Sequence, residues 1–131
     1  MGDAYVEQLV ALWKEYGLTR AWNDPYRDIQ FARSGCTSTV LAGEQDGKIV
    51  ASVIVGHDGH RGGLYYLAVS AVLQARGLGK AMYAQAVSWL GQLCVWRINL
   101  MVRAEDKGVV GFYESLGYEV NRVLSLGKYI E

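Results

Sequence analysis

Between Gln74 and Met82 the chain reads QARGLGKAM. Two glycines two positions apart, flanked by Arg76 and Lys80, are chemistry for an anion. Small residues let backbone N–H groups point outward where a helix begins, and the helix dipole favours negative charge there. A pyrophosphate would suit such a turn without a metal. Two common phosphate loops are excluded. A P-loop needs GxxxxGK followed by Ser or Thr, but Gln74 stands at its first glycine and Ala81 at its hydroxyl. A dinucleotide fingerprint needs GxGxxG, and Met82 occupies its third glycine. Two readings of GxG stay open: an anion cradle, or a tight turn from strand to helix.

Other reactive side chains are thinly spread. His57 and His60 have the spacing of a metal pair, yet no third ligand accompanies them. Cys36 and Cys94 form no CxxC pair, so the expectation is two buried or half-buried thiols in a reducing cytosol. No serine or cysteine sits in a convincing nucleophile context, which argues against a covalent acyl-enzyme.

The elements that must position these residues follow from periodicity. Asp3 can cap a helix whose apolar face is Val6, Leu9, Val10, Trp13 and Tyr16. Asp24 and Pro25 are the N-cap and first residue of a second, short helix. Thr37–Glu44 and Lys48–Gly56 read as strands joined at Asp46-Gly47, a hairpin turn. Leu64–Ser70 reads as a third strand leading directly into the glycine turn. From Gly77, residues Ala81, Ala84, Val87, Leu90 and Cys94 trace an amphipathic helix of about four turns. Trp96 to Arg103 alternates like a strand. Val109, Phe112, Tyr113 and Leu116 mark a last helix, stopped by Gly117 in the left-handed conformation. Residues 118–130 are expected to form one or two closing strands. The order predicts a single α/β domain over residues 1–131, a mixed, mostly antiparallel sheet with helices on both faces.

This pattern resembles the GNAT superfamily of N-acetyltransferases. Their acetyl-CoA motif, a strand followed by Gln or Arg, two residues, Gly, one residue, then Gly or Ala, is matched by Gln74-Ala75-Arg76-Gly77-Leu78-Gly79 after "YYLAVSAVL". "GFYESLGY", residues 111–118, is similar to the family's last-helix motif. "WNDP", "DGHRG" and "LSLGK" are similar to a small bacterial subgroup of the YpeA type. The resemblance implies acetyl-CoA as cofactor and an amine acceptor. It implies that the backbone of Leu67, Ala68 and Val69 pairs with the pantetheine arm, an N–H near Ala68 polarising the thioester. Gln74, Ala75, Arg76, Gly77, Leu78, Gly79, Lys80 and Ala81 would cradle the pyrophosphate, with Asp106 and Phe112 at further cofactor positions. Tyr113 would be the general acid that protonates the departing thiolate, as well as a core residue of its helix. Asp106 stands where the family often has Asn, so capping its helix is an alternative role. Around the acceptor channel the candidates are Trp22, Asp24, Asp58 and Tyr65, and for both aspartates capping and turn chemistry are equal alternatives. Tyr65 and Met101 occupy places where family members carry a basic carboxylate. The base is left among Asp58, His57, His60 and an ordered water.

The family's N-terminal edge strand is expected to be missing or a stub, which would leave Thr37–Glu44 at an exposed edge; a homodimer contact or a short substitute strand is expected to cover it. Thirteen basic and thirteen acidic residues cancel, which disfavours a nucleic-acid or anionic-membrane binder. Neither a secretion signal nor an apolar run of about 18 residues is present, so a cytoplasmic protein is expected. The rival function is a catalytically weak acyl-CoA-binding or regulatory module on the same fold.

Overall fold

The structure, a computed structural model, describes residues 3–19, 24–70, 77–103 and 105–131. These fall into two compact units, Met1–Asn99 and Leu100–Glu131.

The first unit is built on three antiparallel strands, β1 (Ser38–Gln45), β2 (Lys48–His57) and β3 (Gly62–Val69), in the order β1-β2-β3. The β1–β2 turn needs two left-handed residues, and Asp46 and Gly47 supply them at φ 53° and 79°. Helices α1 (Asp3–Glu15) and α2 (Pro25–Arg33) cover one face. There Leu9, Val10, Leu12, Trp13, Ile29 and Ala32 meet Val40, Ile49, Ile54 and Ala68. Each large side chain buried in this way contributes roughly 1.5–3 kcal/mol. Asp24 caps α2 as its sequence implies, its carboxylate accepting from the N–H groups of Tyr26 at 3.0 Å and Arg27 at 3.2 Å.

Helix α3 (Leu78–Gln92) covers the opposite face. It does so through Met82, Ala86 and Leu90; of the expected stripe Leu90 is buried, while Ala81 and Ala84 are exposed and Val87 is 37% exposed. The sheet explains the rotation. Gly62 leaves a hollow in β3 that Leu90 fills, its Cδ1 lying 2.8 Å from where a Cβ on Gly62 would stand. The helix also ends earlier than expected. Cys94 is not a core position but the left-handed residue (φ 65°) of the helix stop, and Val95 N–H bonds back to Leu90 O at 3.1 Å. Cys36 and Cys94 are both exposed, which corrects the expectation of buried thiols.

Beyond α3 the expected strand from Trp96 to Arg103 pairs at one point among the described residues. Gly62 N–H donates to Arg97 O at 2.9 Å, and Gly62 O accepts from Asn99 N–H at 3.0 Å, a parallel bridge to Ile98. The alternation survives in burial, since Ile98, Leu100 and Val102 are half-buried between exposed neighbours.

The second unit contains α4 (Lys107–Glu114), capped by Asp106, whose carboxylate accepts from Val109 N–H at 3.3 Å. Gly117, at φ 97°, follows its end. The expected closing strands are not formed among residues 118–131. Val120, Val123, Leu124, Leu126, Tyr129 and Ile130 are all exposed, and β-branched residues make a strand only where an edge receives them. No helix among the described residues is long and apolar enough to cross a membrane.

Candidate active site

The glycine turn resolves into a helix start without a side-chain cap. Gly77 is the N-cap of α3 at φ 77°, in the left-handed region that glycine enters without cost. Gly77 has no side chain to cap the first-turn N–H groups, and no acidic residue lies in that turn. Gly77 O accepts from Ala81 N–H at 3.0 Å, so the N–H groups of Leu78, Gly79 and Lys80 precede the first intrahelical bond and have no partner within the helix. Lys80 is exposed beside them. Gln74, Ala75 and Arg76 lie outside the described residues, as does Trp22.

Strand β3 has two edges with different tasks. One pairs with β2: Ser70 N–H donates to Val50 O at 2.7 Å, and Ala68 stands opposite Ser52. Backbone alternation therefore turns the N–H of Ala68 toward β2. The same rule turns Leu67 and Val69 to the outer edge, along which Gly62 makes its bridge. An N–H donor on that edge is thus supplied by Leu67 and not by Ala68 itself, which is also buried.

Sequence reading missed a feature of this strand. Between the pairs Ser52–Ala68 and Ile54–Tyr65 the register shifts, so Tyr66 and Leu67 together oppose Val53. Tyr66 sits at φ 53°, a costly conformation for a residue with a Cβ. Its ring stacks on Trp13 with centroids 4.3 Å apart and planes 14° from parallel. Its hydroxyl donates to Asp28 Oδ2 at 2.8 Å. Trp13 Nε1 in turn donates to the buried Ser52 Oγ at 2.7 Å, and that hydroxyl reaches Tyr66 O at 3.5 Å. Periodicity carried no sign of this, because Leu64 to Val69 is apolar or aromatic at every position and has no alternation to break.

The β2–β3 loop is a closed turn. Asp58 Oδ1 accepts from Arg61 N–H at 2.7 Å and His60 N–H at 2.9 Å. Those bonds, Arg61's first, hold its carboxyl below the usual carboxylate range. His57 Nδ1 accepts from Gly59 N–H at 3.0 Å. Arg61 lies over the ring of Trp96 at 5.1 Å and reaches His60 O at 3.2 Å. Among the described residues no three His, Cys, Asp or Glu side chains converge as a metal site. Tyr65 is 47% exposed, its hydroxyl 3.0 Å from where a Cβ on Gly63 would lie.

In the second unit Tyr113 is buried in an aromatic row. Phe112 meets it edge-on at 5.2 Å and Tyr118 at 5.6 Å, and Tyr113 O accepts from Leu116 N–H at 2.9 Å.

Comparison with known proteins is consistent across sequence and structure. Residues 5–118 match the Acetyltransferase (GNAT) family. An acetyltransferase of Yersinia enterocolitica is 38% identical over 122 residues, covering 93% of this chain and 86% of that one. Among solved structures, an aminoglycoside 6′-N-acetyltransferase from Acinetobacter haemolyticus superimposes with a TM-score of 0.80 at 14% identity, over 100% of this chain and 97% of that one. The enzyme AAC(6′)-Iy, in complex with a bisubstrate analogue containing CoA, gives 0.81 at 16% identity, over 98% and 95%.

Proposed function

Because the chain belongs to the GNAT family of acetyltransferases, we propose that it transfers an acetyl group to a primary amine by direct attack, with donor and acceptor held together. It is an acyltransferase, and acetyl-CoA is the acyl donor of its family. The match from residue 5 to 118 runs through both units and supports one domain over residues 1–131.

The observation that carries the reading is the open start of α3. A glycine cap, three N–H groups without partners inside the helix, no first-turn acid and an adjacent lysine fit a pyrophosphate. Bound acetyl-CoA supplies an acetyl group already activated as a thioester. Leu78, Gly79 and Lys80 hold the phosphates, with Ala81 behind them and Gln74, Ala75 and Arg76 assigned by their motif positions. Leu67, on the outer edge of β3, pairs with the amide groups of the arm as an added strand would. The Leu67 N–H orients the acyl carbonyl, where a fixed dipole shielded from water is worth more than in solution. Ala68 contributes by packing and Asp106 by capping α4.

As the new C–N bond forms and the C–S bond breaks, the sulfur takes a proton from Tyr113, assigned from its place in the GFYESLGY motif. The amine releases its proton to water. Asp58 is a poor base because its carboxylate is held in the charged form by two backbone donors. Tyr65, with Trp22, Asp24 and Asp58, is assigned to the acceptor side. Tyr113→Phe tests the acid role: kcat should fall on the order of 100-fold while the acetyl-CoA Kd stays within about twofold. Unchanged kcat would remove Tyr113 from the chemistry.

A further inference from the structure

Tyr66 pays a conformational cost that glycine would avoid, and contacts to Trp13 and Asp28 hold it there. It is the left-handed residue of the β3 bulge, stacked on the fully buried Trp13. Its hydroxyl is tied to Asp28, in the early part of α2. Trp13 is anchored independently through Ser52 on β2. The bulge is thus gripped from both helices of that face and from the neighbouring strand.

The bulge also decides which amides face outward. Gly62 presents its backbone to the outer edge, as its bridge to Arg97 and Asn99 shows. Unbroken alternation would pass that edge to Leu64, Tyr66 and Ala68. The extra residue passes it to Leu67 and Val69 instead. A one-residue slip in a strand exchanges its two faces. Without the bulge, Leu67 would turn its N–H toward β2.

We propose that Trp13, Tyr66 and Asp28 form a clamp that fixes the β3 bulge, making Tyr66 and Asp28 positioning residues for acyl transfer. The proposal rests on the acetyltransferase reading, because it assigns the clamp's output to the Leu67 amide at the donor edge. The clamp acts on the acyl end of the donor, whereas the α3 turn acts on its phosphates. Its loss therefore lowers kcat and leaves the grip on CoA intact.

The test uses the full chain with Tyr66→Phe, which keeps the ring and removes the bond to Asp28, and Asp28→Ala, which removes the acceptor. Each variant is measured for kcat, for KM with acetyl-CoA, for CoA affinity and for amide exchange across Leu64–Val69. A misplacement of about 1 Å costs on the order of 100-fold in rate, and a partly loosened clamp is expected to cost roughly 10- to 50-fold in kcat. KM and CoA affinity should hold within about threefold, and amide exchange in β3 should rise about tenfold. A lowered Tm with kcat intact in both variants would overturn the positioning role and leave a purely structural contact. Failure of the acetyltransferase reading looks different: the wild type would then neither bind CoA nor turn over. In that case the exchange measurement judges the clamp by itself, and unchanged exchange in both variants overturns it.

Discussion

Helices α2 and α3 begin in opposite ways. At α2, Asp24 bends back to accept two backbone N–H groups, Pro25 removes a third donor, and Asp28 adds negative charge within the first turn. At α3, Gly77 offers no side chain, the first turn has no acid, and Lys80 adds positive charge. Helix α4 sides with α2 through Asp106. A helix that caps itself consumes the positive end of its dipole, and one that does not keeps that end for something else. The contrast separates structural turns from the proposed binding turn within a single chain, and it can be broken at either end.

The largest effect is expected at the open end. Gly79→Glu places a carboxylate and its bulk in the first turn of α3, and acetyl-CoA affinity should weaken at least about 100-fold, roughly 2.7 kcal/mol. Calorimetric titration checks this, and an unaltered affinity would remove the turn from the cofactor site. The capped end should behave in the reverse manner. Asp24→Ala should lower stability by about 1 kcal/mol, or Tm by about 4 °C for a chain of this size, with acetyl-CoA affinity unchanged.

The smallest effect belongs to Asp58, a third aspartate engaged by backbone donors. Its carboxyl is held below its ordinary range in the folded state. Its contribution is therefore present above the unfolded carboxylate pKa and is lost as pH falls through the folded value. Asp58→Ala should lower Tm by about 1 °C near neutrality, and the difference should close in acid as the carboxyl becomes protonated in the folded state. Melting curves over a pH series check the sign. A difference that widens in acid would contradict the assigned hydrogen bonds.

Much of the scaffold was legible because local chemistry determined it. The stripe from Leu9 to Trp13, the Asp24-Pro25 start, the Asp46-Gly47 turn and the left-handed Gly117 each depend on neighbours in sequence. The buried face of α3 was not legible. The helix is apolar or small at most positions, and the hollow at Gly62, twenty-eight residues before Leu90 and invisible to periodicity, selects the face. The 96–103 and 118–130 segments have strand-like composition, yet pairing depends on an edge elsewhere in the fold. Within the site, the glycine turn could be read from its motif. The β3 bulge could not, because Trp13, Ser52, Asp28 and Tyr66 come from four separate elements and share no spacing.

The central claim, that the open start of α3 holds the pyrophosphate of acetyl-CoA, is tested most directly by thermal unfolding with acetyl-CoA, CoA, ATP and NAD in parallel. At about 100 times its Kd a ligand adds roughly 2.7 kcal/mol, so Tm should rise on the order of 10 °C with acetyl-CoA and CoA and remain in place with the two nucleotides. No shift with any of the four, or a shift with ATP or NAD alone, would contradict it.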